Sequence, residues 1–177
     1  MWICADMNNE TVDDEIGIRY RFKDGFHDRV VEDNNINGWT YFRISTADYN
    51  IIGGDRDGSR VTGHPVSVFW ELLDSIQKMR SDEQSFVEFT YGPVYVVLEP
   101  QDDITVQVAS SVLYKGIENP EERLDIDTER VVTREAWTAA VIETTNELID
   151  EVVAINSAVK SISDFELLRE KLDKVTS

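Results

Sequence analysis

The chain of 177 residues has one cysteine, two histidines and no long hydrophobic run, and each shortage excludes a class of protein. Cys4 has no partner within the chain, so an intrachain disulfide scaffold is excluded. No segment approaches the ~20 consecutive apolar residues of a transmembrane helix. The first residues, Met1 to Asp6, lack the basic and apolar stretches of a secretory signal, so we expect a cytoplasmic protein.

Motifs for catalysis and for metal binding are scarce. A nucleophilic triad needs a histidine, but His27 lies near a turn and His64 precedes a predicted helix. No nucleophile elbow, phosphate-binding loop or zinc-spaced His or Cys pair is present. The loop 55–59 has carboxylates at alternate positions, but it lacks the later Gly and Glu of a calcium loop, which favours an ordinary loop. The sequence therefore predicts a protein that is not an enzyme and has no metal or cofactor. A carboxylate-based enzyme stays open as an alternative, because 35 acidic residues offer too many pairs to single one out.

Positive charge is also scarce, since 17 basic side chains against 35 acidic ones give a net charge of −18. Such a surface repels phosphate backbones and anionic lipids, so we expect neither a nucleic-acid nor a membrane partner. It attracts a basic protein partner instead, at rates that fall with added salt. Adaptation of a cytosolic protein to a salty host would give the same charge balance, and lysine is the rarer cation here.

The hydrophobic pattern predicts clustered strands with helices set apart, which is typical of an α+β fold. We expect an antiparallel sheet of five to six strands, packed by a central helix from Pro65 and by a long C-terminal helix capped by Thr133. The predicted organisation is a loosely ordered segment 1–14, a single α+β domain 15–160 and a helical extension 161–177. The predicted strands are 16–22, 39–46, 49–52, 86–91, 94–98 and 104–114.

The long C-terminal helix carries a narrow apolar stripe with nearly heptad spacing. The stripe either packs on the sheet or forms a homodimer through this helix. A capping-box pattern, Ser163 to Glu166, predicts the start of a last helix. The stripe consists of Trp137, Val141, Leu148, Val152, Ile155 and Val159.

The polar connection 116–130 is dominated by carboxylates and is either a solvated loop or a docking patch for a basic surface. Aromatic side chains exposed beside such a patch would indicate an interface. Carboxylates from this connection and from the loop 55–59 are the candidate partner-binding residues. They are Asp55, Asp57, Glu118, Glu121, Glu122, Asp125 and Asp127.

The order of elements from about Asn37 to about Val153 resembles that of small immunity proteins of bacterial polymorphic-toxin systems, including the WapI-type wall-associated toxin group. The likeness lies in a Trp-bearing strand (residues 38–42), a helix with Phe-Trp-Glu-Leu-Leu (69–73), a compact meander and a closing helix. It covers about two thirds of the chain and leaves residues 155–177 unexplained. The resemblance implies a cytoplasmic binding protein that blocks a cognate toxin, with no catalytic motif.

These observations together favour an acidic, cytoplasmic protein-binding module, with immunity-type inhibition of a basic toxin domain as its most concrete form. The alternative is a salt-adapted cytosolic α+β protein of another role, without catalytic activity.

Overall fold

The computed structural model describes residues 11–54, 60–90 and 94–177 of the chain, and this part confirms the predicted α+β class. The helices are α1 (Phe26–Asp33), α2 (Pro65–Arg80), α3 (Lys115–Glu118), α4 (Arg134–Ile155) and α5 (Ser163–Thr176), with 3₁₀ turns at Pro120–Glu122 and Ser157–Ser161. The strands are β1 (Val12–Asp13), β2 (Ile16–Phe22), β3 (Thr40–Thr46), β4 (Asn50–Ile52), β5 (Val61–Gly63), β6 (Ser85–Phe89), β7 (Val94–Pro100), β8 (Thr105–Ser111) and β9 (Glu129–Thr133).

The strands divide between two sheets. A five-stranded sheet has the order β1-β9-β8-β7-β6, antiparallel except for the parallel pair β1–β9. The second sheet has β3 at its centre, with β2 along one edge and the short strands β4 and β5 sharing the other. Side chains alternate between the two faces of each strand, so each sheet has a buried and an outward face.

Helix α2 lies at the centre of the molecule, as its apolar face predicts. It begins at Pro65, whose fixed φ suits the first helical turn, and it packs on β6, β7, α4 and α5. Its Phe69, Leu72 and Ile76 are fully buried in one core cluster that takes residues from both sheets.

Glu71 of α2 blocks part of the exposed edge of the five-stranded sheet. Its Oε2 accepts a hydrogen bond from the backbone N–H of Glu88 in the edge strand β6, at 2.7 Å. Burial raises the pKa of Glu71, although this hydrogen bond lowers it. An occupied edge amide makes pairing with another chain less favourable.

Helix α4 buries the predicted stripe within the chain, with Trp137, Val141 and Leu148 fully covered. Thr133 caps the helix as predicted, since its Oγ1 accepts the N–H of Ala136 at 3.1 Å. The indole N–H of Trp137 donates to the buried Ser75 Oγ at 3.0 Å. The stripe is therefore occupied by the chain's own core.

Helix α5 folds back onto α2 and is tied to it by one buried cation. Lys171 Nζ donates to Asp74 Oδ1 at 2.6 Å and lies 4.4 Å from the centre of the Trp70 ring. Partial burial opposes ionisation of Asp74, but hydrogen bonds from Lys171 and Lys78 outweigh it and lower the pKa of this carboxyl. The helix begins at Ser163 as predicted.

The predicted capping box of α5 does not form. The N-cap position is Ile162, which has no side-chain oxygen, so no cap hydrogen bond is made. The apolar face of the helix carries its packing instead, through the buried Phe165, Leu168 and Leu172.

Five described elements are absent from the sequence prediction, namely β1, α1, β5, α3 and β9. Helix α1 lies where turn signals dominate, between Gly25 and Asn34, both in the left-handed region. Strand β9 lies at the end of the connection that was expected to be irregular, and it pairs with β8 through Val131 and Val132.

Candidate protein-binding surface

The outward face of the five-stranded sheet carries the candidate site. Alternation along β6 buries Val87 and turns Phe86 and Glu88 outward. In β7 the side chain of Tyr95 lies opposite Glu88 on the same face. This face is opposite to the one covered by α2.

Residues 112–128 leave the sheet after β8, fold back over this outward face and return to it at β9. Helix α3 places Ile117 in a small apolar cluster with Tyr95 and Val97. Gln84 Nε2, just before β6, donates to the Ile117 carbonyl oxygen at 2.5 Å. The segment 112–128 is thus packed on the sheet.

Arg123 holds the middle of this segment. Only 7% of its side chain is exposed, and its guanidinium contacts Glu99 of β7 at 2.9 and 3.5 Å. The same group lies 3.6 Å from Glu129 Oε2, and its Nε donates to the Gly116 carbonyl oxygen at 2.9 Å. One cation therefore joins α3, β7 and β9.

Asp127 holds the end of the segment. Its Oδ1 accepts the N–H of Val112 at 3.1 Å, and its Oδ2 accepts the N–H of Leu124 at 2.8 Å. The N–H of Thr128 donates to Ser110 Oγ at 2.8 Å. These bonds fix the return to β9, so the acidic connection has a defined conformation.

Three aromatic rings from distant parts of the chain meet beside this segment. The ring centres of Phe86, Tyr95 and Tyr114 lie 5.7 to 6.4 Å apart, in edge-on arrangements. Tyr95 is buried, whereas Phe86 is 39% and Tyr114 is 63% exposed. The cluster therefore exposes parts of the Phe86 and Tyr114 rings to solvent, while the Tyr95 ring is buried.

Carboxylates flank the three rings. Glu88 is the cross-strand neighbour of Tyr95, and Glu118 lies one helical turn after Tyr114. Burial raises the pKa of the Tyr95 hydroxyl, and the charge of Glu88 adds to this effect. We name this region the aromatic–acidic surface, defined by Phe86, Tyr95, Tyr114, Glu88 and Glu118 together with the exposed Glu121 of the following 3₁₀ turn.

The structure separates the predicted partner-binding residues into groups. Glu118, Glu121 and Asp125 are exposed to solvent. Glu122 is partly buried and forms an ion pair with Lys115. The carboxylate of Asp127 accepts hydrogen bonds from the backbone N–H groups of Val112 and Leu124. Asp55 and Asp57, with the rest of the loop 55–59, lie outside the described residues.

The aromatic members of this surface do not follow from the sequence. Phe86 and Tyr95 were recognised only as strand residues, because a strand pattern does not show which face is outward. Tyr114 was read as the end of a strand, but β8 ends at Ser111 and Tyr114 precedes α3. The alternation in β6 was the one available signal, since it put Phe86 on the face opposite to Val87.

The two histidines lie in different surroundings. His27 is exposed, with its Nδ1 3.9 Å from Asp28. His64 stacks on Trp39 with ring centres 4.5 Å apart, and its Nδ1 lies 2.7 Å from the Asn37 carbonyl oxygen.

Across residues 11–54, 60–90 and 94–177, no cluster of His, Cys, Asp or Glu has the geometry to hold a metal ion. In the same residues no helix is sufficiently long and apolar to cross a bilayer.

Comparison of the chain with protein-family models, with curated proteins and with solved structures found no match.

Proposed function

We propose that this chain is a cytoplasmic protein-binding module that docks a basic partner on its aromatic–acidic surface and has no catalytic role. The proposal is supported chiefly by one observation, the exposure of Phe86 and Tyr114 next to Glu88 and Glu118. Aromatic side chains are enriched at the centres of protein interfaces, and charges around them favour a complementary partner.

The rigidity of the segment 112–128 also favours binding. Arg123 and Asp127 hold its backbone before any partner arrives, so a complex would lose little conformational entropy on forming. The aromatic rings would supply apolar contact area, and the carboxylates would supply orientation and long-range attraction.

The most concrete form of this function is immunity, the inhibition of a basic toxin domain. The resemblance in element order to immunity proteins of polymorphic-toxin systems and the net charge of −18 support this form. Occupation of a cationic active-site cleft by the aromatic–acidic surface would block the toxin without chemistry on the inhibitor's side.

Co-expression with each basic, growth-inhibiting domain encoded beside this gene tests the proposal, and the absence of any such domain would count against immunity. We expect the chain to restore growth and to bind the purified domain. The variant Glu118→Lys/Glu121→Lys should weaken binding by at least tenfold, because it places two cations where the partner is basic. Tyr114→Ala should also weaken binding, mainly through faster dissociation.

A charge-matched control separates a site from bulk charge. Glu143→Lys/Glu147→Lys changes the net charge equally, but both residues are exposed on α4. We expect this control to slow association modestly and to leave dissociation unchanged. Equal losses of affinity in the two double variants would contradict the proposed surface.

Salt adaptation stays a second candidate, because the acidity extends beyond this surface. Helix α4 exposes five carboxylates, and its one basic residue is Arg134 at the first turn. Under this alternative, molar salt stabilises the chain strongly by screening self-repulsion, and the neighbouring gene product does not bind. The five carboxylates are Glu135, Glu143, Glu147, Asp150 and Glu151.

A further inference from the structure

A cleft opens between the second sheet and the first turns of α4. Further along α4 the helix lies against β2, since Thr144 Oγ1 is 3.2 Å from the Ile18 carbonyl oxygen. Before this contact the helix lines the cleft with three alanines, Ala136, Ala139 and Ala140. Because these side chains are short, a space of about 410 Å³ stays open between the helix, the start of β2 and the end of β3.

A buried hydroxyl without a partner lies in the wall of this cleft. Thr46 ends β3 and is the cross-strand neighbour of Ile16, and both residues line the cleft. Alternation along β3 turns Thr46 inward with Phe42 and Ile44, so that only 7% of it is exposed. Its backbone N–H donates to the Tyr49 carbonyl oxygen, but no group in the described part of the chain forms a hydrogen bond with its Oγ1. A buried hydroxyl left unpaired is costly, so a ligand with a polar group would satisfy this atom.

Charged groups of both signs line the same cleft. Asp14 and Glu15 directly precede β2, Arg19 belongs to β2, and Glu143 lies on α4. All four side chains are exposed, and none of the ion pairs among residues 11–54, 60–90 and 94–177 involves them. Because three carboxylates outnumber one guanidinium, the cleft attracts a ligand with a net positive charge.

We propose that this cleft, the alanine cleft, binds a free basic amino acid, lysine or arginine. The carboxylate of such a ligand pairs with Arg19, while its two cationic groups pair with the carboxylates of the cleft and donate to Thr46 Oγ1. Its methylene chain lies along Ala136, Ala139 and Ala140, in the way that lysine stems cover apolar surface. The volume of the cleft falls within the range of ~300–1,000 Å³ that is usual for small-molecule sites.

The position of Arg19 favours an amino acid over a polyamine. A polyamine carries cations alone, so it would leave this guanidinium uncompensated and be repelled by it. An amino acid with a basic side chain uses the guanidinium and the carboxylates together. The alanine cleft is separate from the aromatic–acidic surface, which lies on the outward face of the five-stranded sheet, so neither site depends on the other.

Calorimetric titration of the whole chain at low salt tests this site with lysine, arginine and three analogues of lysine. Each analogue lacks one charged group: cadaverine lacks the carboxylate, norleucine lacks the side-chain amine and ε-aminocaproic acid lacks the α-amine. We expect each analogue to bind about tenfold more weakly than lysine, or weaker still. Tighter binding of arginine would assign a guanidinium ligand, and tighter binding of lysine an ammonium ligand. Cadaverine that binds as tightly as lysine would overturn the proposal, as would no binding of either amino acid.

An arginine variant locates the binding. Arg19→Gln should weaken lysine binding by about tenfold or more, because the ligand carboxylate loses its partner, but it should not weaken cadaverine binding. The matched control Arg29→Gln removes an exposed arginine of α1 and should leave lysine binding unchanged. Equal weakening of lysine binding in the two variants would contradict the proposal.

The unpaired hydroxyl gives a second readout. Thr46→Val should weaken lysine binding, yet without ligand it should raise the melting temperature by about 2 °C or more, because an unpaired buried hydroxyl is gone. The matched control Thr144→Val removes a buried hydroxyl that donates to the Ala140 carbonyl oxygen at 2.8 Å, so it should lower the melting temperature. A lower melting temperature of Thr46→Val, or unchanged lysine binding in this variant, would contradict the proposal.

Discussion

Removal of the Arg123 guanidinium is the sharpest perturbation of the segment that carries the proposed partner surface. In Arg123→Ala the carboxylate of Glu99, only 18% exposed, loses the cation 2.9 Å away, and the Gly116 carbonyl oxygen loses its donor. Loss of one partner from a buried ion pair costs roughly 3–5 kcal/mol. Water can still reach Glu99, and Glu129 is largely exposed, so we expect about 3 kcal/mol.

Urea unfolding measures this loss, and hydrogen exchange locates it. For a chain of this length each kcal/mol corresponds to about 2–4 °C, so the melting temperature should fall by roughly 6–12 °C. Exchange should accelerate mainly in residues 112–128. Arg123→Lys should lose less stability than Arg123→Ala, since lysine keeps the positive charge. Arg169→Ala, at an exposed position of α5, should change the free energy of unfolding by less than about 0.5 kcal/mol. A loss below about 0.5 kcal/mol in Arg123→Ala, with unchanged exchange, would refute the reasoning.

Three further predictions concern helix α2 and the contacts that its side chains make. Ser75→Ala should destabilise the chain by about 1–3 kcal/mol in urea unfolding, because the buried Trp137 N–H loses its acceptor; a neutral effect would contradict this role. Glu71→Gln should stabilise the chain at pH 7, because the raised pKa of Glu71 means that its ionised form opposes folding. The gain in stability should disappear at low pH, where Glu71 is protonated. A gain of equal size at all pH values would contradict this reasoning. Asp74→Asn should destabilise at pH 7 by about 1–3 kcal/mol, because a neutral amide replaces the carboxylate that pairs with Lys171. Because the pKa of Asp74 is lowered, this difference should disappear as pH falls through the folded-state value, and a difference that persists in acid would exclude the ion pair as its cause.

The long helices were predictable from the sequence, because each has a recognisable first residue and a regular apolar spacing. Helix α2 followed from Pro65 and its apolar spacing, and α4 from the Thr133 cap and the stripe that begins at Trp137. Helix α1 was missed because it is only eight residues long and buries just Phe26 and Val30, so its periodicity is weak beside the turn signals that follow.

The rest of the fold depends on pairing between strands that are far apart in the sequence, and local patterns do not predict such pairing. The parallel pairing of Val12 with Val131 joins parts of the chain over 100 residues apart, and no local pattern encodes it. The division into two sheets is likewise not encoded by local patterns. Strand β3 pairs with β2, β4 and β5, and these strands form a sheet separate from the five-stranded one.

The candidate surface was predictable in its charge but not in its shape. The run of carboxylates in 116–130 was visible in the sequence, but the inward positions of Arg123 and Asp127 depend on contacts with β7 and with Val112, just after β8. Likewise the meeting of Phe86 with Tyr114 requires the β6–β7 pairing and the fold-back of α3.

Hydrogen exchange on the complex with the basic partner that co-expression identifies tests the central claim most directly, because it shows where the partner lies. We expect new protection in residues 112–128 and in β6, with little change along α4 and on the second sheet. Protection centred on α4 or on the second sheet, with residues 112–128 unchanged, would contradict the proposal that the aromatic–acidic surface is the binding site.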